Sequence, residues 1–175
     1  MLLRPVEPGD AASFCEAQWR SREQRAPWEP QRDMEWYDPD FQTARFRELR
    51  SSDNLVPWVL IADDRVIGTA TLSNIVGGAW RSGDLGYWVD VAEVGRGLAS
   101  ATVAAVCEIA DTELLLHRIA ASTKPDNTAS QRVLAKNGFE QYGFARNYLH
   151  INGSWGDNNL YQRILNDRAP GEPPT

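Results

Sequence analysis

From Asp84 to Leu116 the chain reads DLGYWVDVAEVGRGLASATVAAVCEIADTELLL. A β-rich run leads into a turn with two glycines, and then into an Ala-rich stretch with neither proline nor internal glycine, which favours a helix. Gly95 and Gly97 let backbone amides come close to a ligand. A strand, a glycine turn and a helix start together make an anion site, because the first amides of a helix lack internal acceptors and its dipole favours negative charge. Pyrophosphate is the natural guest. The plainer alternative is that the glycines only permit a tight strand-to-helix turn. Two other phosphate motifs can be checked directly. GxxxxGK[ST] is absent, and the dinucleotide fingerprint finds its third small residue only as Ser100. That fingerprint also expects a parallel βαβ array, whereas here the unit follows hairpin-like strands.

The rest of the chain sets the frame around this unit. LLRPVEPGDA reads as a short strand ending in turn residues, with Asp10 placed to cap a helix through AASFCEAQWRSRE. Pro27 and Pro30 then break regular structure and leave Trp28 and Trp36 in loop or short helix. A helix from Phe41 to Ser51 follows. PWVLIADDRVIGTATLSNI is two strands about Asp63 and Asp64, and RSGDLGYWVDV is a third. After the Ala-rich helix come a strand, HRIAAST, and a helix started by Asp126 or Asn127 and ended by Gly138. Two strands about Asn152 and Gly153 close the order βααβββαβαββ. The expected fold is α/β, with a mixed central sheet flanked by helices. At 175 residues and 42% hydrophobic content, one domain is expected over residues 1–165. The Pro-rich residues 166–175 are expected to form a flexible tail.

Charge and cysteine usage narrow the function classes. A net charge of −6 argues against phosphate-backbone binding, so no nucleic-acid partner is expected. No apolar run reaches membrane-helix length and the N-terminal residues do not resemble a signal peptide, so no membrane partner and a cytoplasmic location are expected. Cys15 and Cys107 are far apart and form no CxxC pair, which points to reduced thiols and to no metal site. His117 and His150 lie on expected strands away from the glycine loop and are read as structural or surface residues.

VGRGLAS resembles the acetyl-coenzyme A signature [Q/R]xxGx[G/A] of the GNAT acetyltransferase superfamily, with Gly97 and Ala99 on its small positions and Val94 departing at its first. APWEP at 26–30, DLGYWVD at 84–90 and NTASQRVLAKNGF at 127–139 are similar to the RimJ/RimL subgroup, and YLHINGSWGDNNLYQRI resembles its C-terminal hairpin. The resemblance implies a sheet whose fourth and fifth strands splay apart, admitting acetyl-CoA from one side and an amine from the other. It implies that Val94, Gly95, Arg96, Gly97, Leu98, Ala99 and Ser100 hold the pyrophosphate. Tyr87, Trp88 and Val89 would pair with the pantetheine arm, and Asn127 would contact it. Many family members carry a tyrosine acid where this chain has Leu134, and Ser130 is the replacement candidate. Asp84 stands where the family has a recurrent carboxylate and is the candidate general base. Trp28, Glu29 and Tyr148 are expected beside the acceptor, Glu29 as a carboxylate suited to an ammonium group or as a rival base.

The activity so implied is acetyl transfer from acetyl-CoA to a primary amine, foremost the N-terminal α-amine of a ribosomal protein, by direct attack and without metal. Small-molecule amines are an alternative acceptor class, because one fold supports many functions. A CoA-binding module without turnover is a third reading. A homodimer is a further expectation from the family.

Overall fold

The computed structural model describes residues 1–172. Its elements are β1 (Leu2–Pro5), α1 (Ala11–Arg25), α2 (Pro39–Arg50), β2 (Val56–Ala62), β3 (Arg65–Val76), β4 (Ser82–Val89), α3 (Leu98–Thr112), β5 (Arg118–Thr123), α4 (Thr128–Lys136), β6 (Glu140–Ile151) and β7 (Ser154–Ile164). This is the order expected from the sequence. The strands form one seven-stranded sheet ordered β1-β2-β3-β4-β5-β7-β6. All pairs are antiparallel except β4 with β5.

Turn chemistry explains the hairpins. Asp63 and Asp64 both take positive φ, as do Asn152 and Gly153, which is the backbone a two-residue hairpin turn demands. Residue alternation then sorts the faces of the sheet. Leu72, Leu85, Ile119 and Tyr161 pack under α3 and α4 with Val103, Val106 and Leu134. On the opposite face Val59, Val66 and partly buried Trp88 pack against Phe14 of α1, Phe46 of α2 and Val6, just past β1.

Three local expectations are corrected. Asp10 gives α1 no side-chain cap; its carboxylate accepts from the Arg4 guanidinium at 2.8 and 2.6 Å and from the Glu7 amide at 2.7 Å, charged partners that win over a lone amide. The helix α3 stops at Thr112, because Leu116 turns back into the core at 2% exposure. Residues 166–169 are tied down instead of frayed. Asn166 Nδ2 donates to Asp111 Oδ1 at 2.7 Å and to the Leu116 carbonyl at 2.8 Å, and the Arg168 guanidinium pairs with Asp111. Buried Arg81 donates to the carbonyls of Arg168 and Ala169. The expected tail also takes in residues 173–175, which lie outside those described. Both cysteines are free and buried. Among the described residues, no helix is long and apolar enough to cross a membrane.

Candidate active site

The strands β4 and β5 run parallel but share only three rungs, Ser82 with Arg118, Gly83 with Ile119 and Asp84 with Ala120. Past Asp84, β4 stays paired with β3 and β5 with β7, so the facing edges part. A cavity of about 600 Å³ occupies the resulting V and reaches the start of α3. The unpaired edge of residues 85–89 can accept an extended arm as an extra strand.

The glycine loop closes one end of that cavity. Gly95 and Gly97 have φ of +81° and +76°, a region that costs L-residues roughly 1–2 kcal/mol each. A Cβ on either would meet no atom within 4 Å, so open space lies over both. The first helical bond of α3 runs from Ala101 N to Gly97 O at 3.0 Å, and Gly97 supplies no side-chain cap. The amides of Leu98, Ala99 and Ser100 therefore lack acceptors within the helix and suit an anion. The loop is anchored from beneath by Asp90, 1% exposed, whose carboxylate accepts from Arg20 and from Ala92 N at 3.0 Å. Burial works to raise the Asp90 pKa, yet Arg20 and the hydrogen bonds outweigh it and hold it below the ordinary range.

Of the residues expected at the cofactor, Tyr87, Trp88, Val89, Val94, Gly95, Gly97, Leu98, Ala99, Ser100 and Asn127 all line the cavity. Arg96 does not; its guanidinium is exposed and pairs with Glu93, which does line the cavity. Asn127 caps α4, its Oδ1 accepting from Ser130 N at 3.1 Å. Leu134 also borders the cavity but is otherwise buried in the core and carries no proton to give. Ser130 lines the cavity with its Oγ 2.9 Å from the Tyr87 hydroxyl. The phenol is the feature that sequence reasoning missed. Burial pushes its pKa up to about 12, the Ser130 bond pulling weakly the other way. Alternation along β4 did carry the signal, since Tyr87 shares with Leu85 the face covered by α3 and α4.

The acceptor side gathers differently from expectation. Trp28 and Glu29 do line the cavity, with Lys124 Nζ 5.7 Å from the Trp28 ring centroid. Glu29 is not a free carboxylate, however, because the Arg25 guanidinium binds it, with Nε 3.0 Å from Oε1. Asp84 and Tyr148 lie outside the cavity lining. Asp84 sits on the last shared rung, at the fork of the V and exposed, and accepts from Asn74 Nδ2 at 2.9 Å. It acts on the Tyr148 phenol, whose pKa is raised first by burial and then by the Asp84 charge. His117 bonds the Asn166 carbonyl and His150 packs edge-on against Trp155.

Comparison with known proteins follows the same lines. A family described as "Acetyltransferase (GNAT) domain" matches residues 1–140. The chain is 35% identical over 171 residues to the probable N-acetyltransferase YjcK of Bacillus subtilis, covering 95% of this chain and 94% of that protein. The solved ribosomal-protein-S5-alanine acetyltransferase from Vibrio fischeri superposes with a TM-score of 0.90 at 32% identity, covering 96% of this chain and 94% of its own. RimJ of Mycobacterium smegmatis, solved in complex with CoA-disulfide, gives 0.88 at 33% identity, covering 93% and 80%.

Proposed function

Since the chain belongs to the GNAT acetyltransferase family and is an N-acetyltransferase, we propose that it moves acetyl from acetyl-CoA to the N-terminal α-amine of a protein, foremost a ribosomal one. The observation that carries the donor half is the V-shaped cavity ending at two left-handed glycines and three helix amides without internal acceptors. Support for the acceptor half comes from the Vibrio fischeri relative, named for acetylating ribosomal protein S5 at alanine.

Acetyl-CoA supplies an activated thioester, so the chain's residues need only bind, aim and move protons. The amine nitrogen forms a C–N bond to the carbonyl carbon, the C–S bond breaks, the nitrogen loses a proton and the sulfur gains one. Amides of residues 98–100 hold the diphosphate, and the free edge of β4 holds the pantetheine arm. Ser130 gives the leaving sulfur a proton as it takes one from Tyr87, and the phenolate so formed at once recovers a proton from solvent in the open cavity. A phenol with a pKa of about 12 stays protonated at working pH and so can act as donor. Asp84, at the fork, takes the amine's proton through one water.

The test is release of free thiol from acetyl-CoA with a peptide bearing an N-terminal alanine, beside the same peptide with its amine blocked, spermidine and free amino acids. The expected result is release only with the unblocked peptide and a mass gain of one acetyl group on its first residue. Release confined to the small amines would overturn the acceptor assignment.

A further inference from the structure

A second cavity, about 270 Å³, lies on the other side of β4 from α3, between the sheet, α1, α2 and the segment joining those helices. It shares Gly86, Tyr87 and Trp88 with the wall of the first, and so adjoins the face from which an acceptor would approach. Its charge is unusual for an acidic chain. Arg25, Arg32 and Arg45 all line it, whereas Glu29 is the only carboxylate among the lining residues. Arg25 already binds Glu29. That leaves Arg32 and Arg45, whose guanidinium carbons stand 3.8 and 4.6 Å from the Trp36 ring centroid.

Neither arginine has a carboxylate partner among the described residues; Arg45 donates only to Gln42 Oε1, at 3.2 Å. Two acids of the segment joining the helices are engaged elsewhere. Asp33 caps the turn at Trp36, Asp38 caps α2, and neither lines the cavity. Burial lowers the Arg45 pKa and the Arg32 charge lowers it further. Two cations facing one another in a partly closed space repel, and an arriving anion turns that repulsion into paired, charge-assisted hydrogen bonds. The cavity is not where the donor's diphosphate would bind, because the glycine loop lies across the sheet on the α3 side.

We propose that this pocket reads an acidic side chain in the first few residues of the acceptor polypeptide, so that the enzyme favours N-termini followed closely by Asp or Glu. The idea rests on the peptide-acceptor reading above. The aromatic floor suits it, since Trp36 holds both guanidinium planes in place and so reduces the ordering cost on binding. Glycine at position 86 leaves the β4 surface between the two cavities without a side chain, and a Cβ there would meet nothing within 4 Å. An extended peptide can cross at that point with its amine toward the fork.

The experiment separates docking from turnover. N-acetylated hexapeptides, which cannot react, are titrated calorimetrically into the protein with CoA present, one carrying Glu at positions 3 and 4 and one carrying Gln there. The Glu peptide should bind at least about 10-fold tighter, as a charged hydrogen bond predicts, and the margin should shrink with salt. Arg45→Gln and the exposed Arg32→Gln should each reduce the margin, and together bring it to about one. Arg45→Lys, which keeps the charge, controls for a folding defect and should retain part of it.

Equal affinities in the unmodified protein, or a margin that survives both substitutions, would overturn the proposal. So would tight, Arg45-dependent binding of N-acetylalanine, since the carboxylate read would then be the acceptor's own. Absence of thiol release with any peptide would remove the peptide-acceptor reading, while the calorimetry still decides whether the pocket takes a carboxylate.

Discussion

The bond between the Tyr87 hydroxyl and Ser130 Oγ joins a strand residue to a helix residue 43 positions away, so the two should behave as one unit. Ser130→Ala is expected to lower kcat by roughly 10- to 1000-fold with little change in CoA affinity, the range for loss of acid assistance. Tyr87→Phe should lower kcat less, because the serine remains, and the double variant should be no worse than Ser130→Ala alone. Steady-state kinetics of the three proteins checks this; additive losses would show two independent roles. Asp84→Asn should depress kcat/KM at neutral pH and recover in part toward pH 9, since an α-amine with a pKa near 8 becomes neutral unaided. A pH–rate profile that drops evenly at every pH would assign Asp84 to positioning. The places of Ser130 and Asn127 at the cavity were legible because helix-start chemistry and a family pattern coincide on them. The pairing of Glu29 with Arg25 was not, because Arg25 ends α1 while Glu29 stands in the proline-broken segment beyond it, where sequence spacing does not fix side-chain direction.

At the scale of elements, the turn between β4 and α3 has its glycines for conformation as much as for room. Gly97→Ala leaves its Cβ in open space yet must hold φ near +76°, so a stability loss of roughly 1–2 kcal/mol is expected. CoA affinity should fall by at least about 10-fold, the equivalent of about 1.4 kcal/mol. Calorimetry with CoA and thermal unfolding of the same variant read the two effects separately; undiminished affinity in a destabilised protein would detach the loop from the diphosphate. Elements bounded by strong local signals were the legible ones. Asp63-Asp64 and Asn152-Gly153 sit where positive φ is required, and Asn127 and Gly138 bracket α4. The end of α3 and the fate of Asp10 were illegible because long-range partners decided them: Leu116 answers to the core, and Asp10 answers to Arg4 on β1.

For the molecule as a whole, the salt bridge between Arg20 and buried Asp90 ties α1 to the base of the glycine loop, with Ser21 Oγ accepting from Val91 N at 3.0 Å beside it. The folded pKa of Asp90 lies below its unfolded value, which is about 3.9. The pair's contribution is therefore complete above that value and is lost as pH falls through the folded pKa. Asp90→Asn should cost about 2 kcal/mol near neutral pH, the scale of a charged hydrogen bond, and less below about pH 3. Urea unfolding at both pH values checks it, and an equal cost at both would deny the pair its charge dependence. The three shared rungs of β4 and β5 bear on motion as well as on binding. They make the sheet two antiparallel leaves stitched at one end, with amides along the open edges that have only solvent to protect them. Those amides should exchange with deuterium on the timescale of local opening while β2, β3 and β7, paired on both sides, stay protected. If a ligand arm does complete the sheet, exchange along residues 85–89 should slow more than anywhere else in the molecule, tracing the path of the bound chain without a crystal.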